Sequence, residues 1–122
     1  MKTEVDRETN PLLWGALIAA DPDATIFHEP AFLDAMVQVY PGFRPHHLVA
    51  RDPAGHIKGA LPGIAIDRPG MSQLLSLPFG SYGTPLVAAG AEAEGADVRG
   101  ELIDRWFAEA SRSGVVRAQL VP

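Results

Sequence analysis

The 122-residue sequence contains no cysteine. That removes disulfides, thiolate nucleophiles and cysteine-based zinc sites together, so stability must come from packing. Runs of like charge are also missing. Ten basic against 15 acidic residues leave a net charge of −5, without the basic footprint that DNA or an anionic membrane surface requires. The longest apolar run near the N-terminus, residues 12–20, is too short to span a bilayer, and residues 1–8 are polar and of mixed charge. No membrane span and a cytoplasmic location are expected. The four histidines, His28, His46, His47 and His56, show no HxH, HxxxH or HExxH spacing, which argues against a metal site. Gly80-Ser81-Tyr82-Gly83 is not the Gly-x-Ser-x-Gly elbow of hydrolases.

What is present is one domain's length of chain, 47% hydrophobic, with 12 glycines and 11 prolines set between periodic segments. Asn10-Pro11 is a cap followed by proline at the first helical position. Leu13, Trp14, Leu17 and Ile18 then share a face until Asp21-Pro22 stops the helix. A second helix follows Pro30, with Phe32, Leu33, Met36, Val37 and Tyr40 at helical spacing up to Pro41-Gly42. Residues 47–51 read as a strand, and Asp52-Pro53-Ala54-Gly55 as a type I turn that returns residues 57–66 antiparallel. Pro62 and Gly63 predict a bulge or break midway in that strand, because proline cannot donate to a ladder. Residues 73–77 supply a third strand. Residues 88–95, small and acidic, are expected to be a mobile surface connection. From Asp97 the stripe Val98, Leu102, Ile103, Trp106, Phe107 and Ala110 predicts a helix, with Glu101 and Arg105 as an i,i+4 pair. Val116, Ala118 and Leu120 then alternate as a half-buried strand. The expected order is α-α-β-β-β-α-β, an α+β sandwich with helices flanking a mostly antiparallel sheet.

The candidate site is the glycine-punctuated loop Ser76-Leu77-Pro78-Phe79-Gly80-Ser81-Tyr82-Gly83-Thr84-Pro85-Leu86. Gly80 and Gly83 let the backbone approach a ligand around Ser81 and Tyr82, while Pro78 and Pro85 stiffen its ends. Tyr82 offers a hydroxyl for general-acid or hydrogen-bond donation, and equally an aromatic cover for the core. His28, just before Glu29-Pro30 at a helix start, serves either as an N-terminal cap or as a site residue.

Three segments carry a resemblance: Ala24-Thr25-Ile26-Phe27-His28-Glu29-Pro30-Ala31-Phe32-Leu33; His47-Leu48-Val49-Ala50-Arg51-Asp52 with Gly55-His56-Ile57-Lys58-Gly59-Ala60-Leu61-Pro62; and Ser76-Leu77-Pro78-Phe79-Gly80-Ser81-Tyr82-Gly83. In this order they resemble the first half of FemAB-like proteins, the tandem-repeat branch of the GNAT acyltransferase superfamily. The resemblance implies a single GNAT-like domain over residues 1–122 that forms the N-terminal half of a larger protein. It also implies acyl or aminoacyl transfer to an amine on a cell-wall precursor, peptide or surface polymer. Phe79, Gly80, Ser81, Tyr82, Gly83 and His28 would contribute to binding the acceptor, and no catalytic residue carries over. Acyl-CoA or aminoacyl-tRNA would be the donor of the full-length protein. The partner would be the missing C-terminal half or another copy of the chain, pairing along residues 115–121. The chain departs from acyl-CoA-binding GNAT domains in lacking a Gln/Arg-x-x-Gly-x-Gly/Ala loop before the helix that starts near Asp97. Glu92 and Glu94 stand there instead and repel phosphate. No cofactor is therefore expected on this chain alone. The departure also keeps open a second reading, a non-catalytic GNAT-like binding or interaction module.

Overall fold

The computed structural model describes residues 2–22, 24, 28–39, 42–68, 71–75, 85–112 and 117–119. The elements run β1 (Lys2–Asp6), α1 (Pro11–Ala20), α2 (Pro30–Val39), β2 (Phe43–Pro45), β3 (His47–Arg51), β4 (Ile57–Leu61), β5 (Ile64–Arg68), β6 (Met71–Leu75), β7 (Leu86–Val87), α3 (Gly95–Arg112) and β8 (Arg117–Gln119). The architecture is the expected α+β sandwich. Its strands form two four-stranded sheets, β1-β3-β4-β7 and β2-β5-β6-β8. Every pairing is antiparallel except that of β6 with β8.

The helices start where the sequence indicates. The Asn10 side chain accepts the N–H groups of Leu12 and Leu13 at 3.0 and 3.3 Å, and Pro11 takes the first helical position. Trp14 and Leu17 of α1 pack with Leu33 of α2 against Val49, Ala60 and Leu86 on one face of the first sheet. Val98, Leu102 and Trp106 of α3 pack against Leu48, Ala50 and Leu61 on the other. Four consecutive residues of β3, His47 to Ala50, are buried because both faces of this sheet are covered. α2 also covers the second sheet, where Met36 meets Phe43, Ile64 and Ile66.

The two sheets are the halves of one interrupted hairpin. Phe43 pairs with Ile66 and Leu48 with Leu61 in a single unbroken register. The interruption falls at His46 and at Pro62-Gly63, where the sequence predicts it. Two contacts bridge the gap: the His46 N–H donates to Gly63 O at 2.8 Å, and the Gly63 N–H donates to His47 Nδ1 at 3.1 Å. A Cβ at Gly63 would overlap the His46 carbonyl oxygen and lie 2.7 Å from Trp106 Cζ3. Only glycine fits where backbone and indole approach this closely.

Three expectations are revised. The polar N-terminus is a strand, β1, whose Thr3 and Val5 turn toward α3 while Lys2 and Glu4 face outward. Residues 88–95 are an ordered connection: Gly90 turns at φ 84°, Ala91 is buried, and a 3-10 turn over Glu92–Glu94 runs into α3. Arg105 pairs with Glu109, at 3.1 Å, and Glu101 instead accepts the Thr3 hydroxyl at 3.0 Å. Residues 76–84, 113–116 and 120–122 lie outside the described set, and with them the candidate loop and the ends of the expected C-terminal strand.

Gly63→Ala tests the close approach. Overpacking at this position is expected to destabilise the protein by about 1–3 kcal/mol, outweighing the smaller gain from a stiffer unfolded chain. Thermal unfolding would read this as a clear fall in Tm, and an unchanged or raised Tm would refute the packing account.

Candidate functional site

Among the described residues, a cleft forms where α1 ends, β7 ends and α3 begins. α1 is closed by Asp21, whose N–H donates to Leu17 O at 3.0 Å, and Pro22 prevents its continuation. The Asp21 side chain is buried at 3% exposure. Its Oδ2 accepts the Val87 N–H at 2.9 Å and lies 3.5 Å from Arg99 Nη2 of α3. Ala20, Pro22 and Val87 make the apolar wall, and Asp21, Glu92 and Arg99 the polar one, around about 120 Å³.

The start of α3 does not suit a pyrophosphate. An anion site at a helix start needs free backbone N–H groups facing the ligand. Here the 3-10 turn runs straight into the helix, and the Gly95 N–H already donates to Glu92 O. Two carboxylates line the cleft against one guanidinium. Cationic groups are favoured over phosphates on charge alone. The residues present do not fit the acyl-CoA cradle of GNAT domains.

The sheet interruption gathers the other polar groups. His46 and His47, adjacent on the strand, point to opposite faces, as strand geometry requires. His47 is fully buried, with its ring edge-on to Trp14 at 5.2 Å. Its Nε2 lies 2.9 Å from Thr9 Oγ1, a spacing that suits a hydroxyl nucleophile and its base. The tautomer rules that role out. A backbone N–H can only donate, so Nδ1 is the acceptor toward Gly63, and Nε2 carries the proton and gives it to Thr9. Burial, with His46 adding to it, lowers the His47 pKa to about 4.

On the opposite face His46 Nε2 lies 3.6 Å from Glu109 Oε1. Burial lowers its pKa, against the pull of Glu109 and in concert with Arg7, Arg44 and Arg105. Arg105 donates to Glu109 and, through Nη1, to Thr3 O at 3.0 Å. This cluster fastens α3 to β1 and to the sheet interruption.

Of the residues singled out in the sequence, Phe79, Gly80, Ser81, Tyr82 and Gly83 lie outside the described set. Their segment joins β6 of one sheet to β7 of the other. His28 is described, fully buried, two residues ahead of α2. His56 is exposed and sits 3.3 Å from Asp52 Oδ2 in the turn. Among the described residues no three of His, Asp and Glu converge in a way that could hold a metal, and no helix is long and apolar enough to cross a membrane. Asp21, Arg99 and Glu92 were not legible as a group. Asp21 reads in sequence as a helix stop, and its meeting with Val87 spans 66 residues.

No protein-family model matches the chain, and no curated protein matches it. Among solved structures it is similar to the crystal structure of a Trypanosoma brucei acetyltransferase. The TM-score is 0.51 at 16% identity, over 99% of this chain and 82% of that one. The shared fold is GNAT-like α+β, as the sequence resemblance implied.

Asp21→Ala leaves the buried Val87 N–H without an acceptor and is expected to cost about 2–3 kcal/mol. Asp21→Asn retains an acceptor oxygen and loses the half-exposed ion pair with Arg99, worth at most about 1 kcal/mol. Urea unfolding of both variants measures the difference. Equal losses would show that charge, and not the hydrogen bond, is what Asp21 supplies.

Proposed function

We propose that the chain is the N-terminal half of a FemAB-like acyltransferase and that this half binds the amine acceptor. The observation that carries the reading is the start of α3. The fold is that of an acyltransferase superfamily, yet the place where such domains cradle a donor's pyrophosphate is lined by Asp21 and Glu92. A carboxylate-lined cleft favours an amine, which is cationic until it gives up its proton. In the reaction the neutral amine attacks the acyl carbonyl, a C–N bond forms, the bond to the donor's leaving group breaks, and the amine proton passes to a base. Leaving-group chemistry and donor, whether acyl-CoA or aminoacyl-tRNA, belong in this reading to the second half of the protein or to another copy of the chain. Phe79 to Gly83, with His28, contribute to the acceptor side. The acceptor is a small molecule or peptide, of cell-wall or cell-surface origin in the FemAB-like case.

A second reading, a GNAT-like binding module without catalysis, is favoured by one observation: the Val87 and Gly95 N–H groups at the cleft are already taken by Asp21 and Glu92.

Calorimetric titration of the chain with coenzyme A and with a lysine-bearing peptide tests the first reading. The peptide is expected to bind, and coenzyme A to give no heat at millimolar concentration. Micromolar binding of coenzyme A would overturn the assignment of this half to the acceptor. Tyr82→Phe separates the two readings. A hydroxyl that takes part in transfer predicts a loss on the order of a hundredfold in cellular activity, whereas a binding module predicts none.

A further inference from the structure

The cleft at the end of α1 carries charges of both signs, and they are not equally occupied. Asp21 is committed to the protein: its Oδ2 accepts the Val87 N–H at 2.9 Å and lies 3.5 Å from Arg99 Nη2. Glu92 is exposed, and among the described residues its carboxylate engages no partner. An ammonium that enters the cleft therefore has Glu92 as the carboxylate able to receive it.

Arg99 contributes the opposite charge. A guanidinium carries five N–H donors in a planar fork, suited to a carboxylate, and that of Arg99 is 40% exposed. Asp21 sits beside Nη2, so charge keeps a second carboxylate from that side and leaves it the approach to Nη1 and Nε. Gly95 leaves room there, since a Cβ at this position would lie 3.1 Å from Nη1. The helical angles of Gly95, φ −53° and ψ −43°, do not themselves call for glycine.

The rest of the wall is apolar, from Ala20, Pro22 and Val87, and the space is about 120 Å³. A cavity of about 150 Å³ holds one benzene, a molecule of about six non-hydrogen atoms. The cleft is thus sized for a head group of that order, well below the roughly 300–1,000 Å³ of pockets that enclose larger ligands.

We propose that this cleft recognises the head group of a small α-amino acid, with its ammonium on Glu92 and its carboxylate on Arg99. A single carbon separates the two charges in such a molecule, so both fit within a cleft of this size. A hydrogen or methyl on that carbon faces Ala20, Pro22 and Val87. A simple amine gives Arg99 no part in binding. A simple carboxylate leaves Glu92 unmatched and is repelled by Asp21. The inference rests on the reading of this half as the acceptor side, and it narrows the acceptor from an amine to an amine with a carboxylate beside it.

Nuclear magnetic resonance titration of the 15N-labelled chain at pH 7 with alanine, ethylamine and propionate tests this. Ethylamine is alanine without its carboxylate, and propionate is alanine without its ammonium. Alanine is expected to shift the backbone amide signals of Val87 and Gly95. It should bind at least about tenfold more tightly than either analogue, because each analogue lacks one charge-assisted contact. Arg99→Gln should lower alanine to the level of ethylamine, and Glu92→Gln should lower it to that of propionate. Should Arg99→Gln fail to fold, Arg99→Lys keeps the charge and loses the fork, and is expected to lose part of the preference. The three wild-type titrations decide in any case.

Ethylamine or propionate binding as tightly as alanine would overturn the head-group inference, as would alanine shifts confined to amides away from the cleft. Binding of the lysine-bearing peptide with no response to alanine at millimolar concentration would overturn it alone and leave the acceptor reading standing. Failure of that reading has a different signature, micromolar binding of coenzyme A.

Discussion

The break in the long hairpin at Pro62-Gly63, bridged by the His46 N–H to Gly63 O and the Gly63 N–H to His47 Nδ1, is the constraint on which the arrangement of the two sheets depends. The hairpin from Phe43 to Arg68 is long enough to span both, but Pro62 removes a donor midway and a plain ladder cannot run through it. The residues around the gap are those that such a break requires. Glycine lets Trp106 and the His46 backbone close in, and a histidine ring substitutes for a carbonyl acceptor. The neighbouring histidine turns the other way to meet Glu109 of α3. α2 then covers both sheets, through Leu33 on the first and Met36 on the second, and the chain acquires two packing surfaces from one hairpin.

Much of this was legible in the sequence, and what escaped did so for identifiable reasons. α1, α2 and α3 announce themselves by capping residues and periodic apolar positions. The break at Pro62-Gly63 follows from the absence of one N–H. β1 was missed because charge at Lys2, Glu4 and Asp6 masks an alternation in which only Thr3 and Val5 face inward. β2, three residues ending in proline, is too short to carry any pattern. Ala91 is buried between β7 and α3, but burial of an alanine leaves no periodic trace. Glu101 and Glu109 are equally spaced from Arg105, so spacing alone did not choose between them. Thr3 chose, by giving its hydroxyl to Glu101 and its carbonyl to Arg105.

The cleft shows the same division between local and distant information. Local chemistry explains why α1 stops at Asp21 and why α3 starts without a phosphate cradle. That the same carboxylate then satisfies the last strand of its sheet and meets the guanidinium of Arg99 depends on the tertiary fold. A charge introduced to end one helix thereby sets the electrostatic character of the entrance to another. The fold is shared with an acetyltransferase, and the polarity of this corner sets the chain apart from domains that bind a phosphorylated donor there.

The tie between β1 and α3 also orders events in time. Thr3 and Glu101 are 98 residues apart, and Thr3 and Arg105 are 102 apart. At ribosomal rates of about 5–20 residues per second, β1 waits roughly 5–20 seconds after its own synthesis for the helix that fastens it. During that interval β1 has only its pairing with β3 to rely on, and its Thr3 hydroxyl and carbonyl lack their final partners. The fastening of β1 to α3 is therefore a long-range step, completed only after the strands and helices between them have been made.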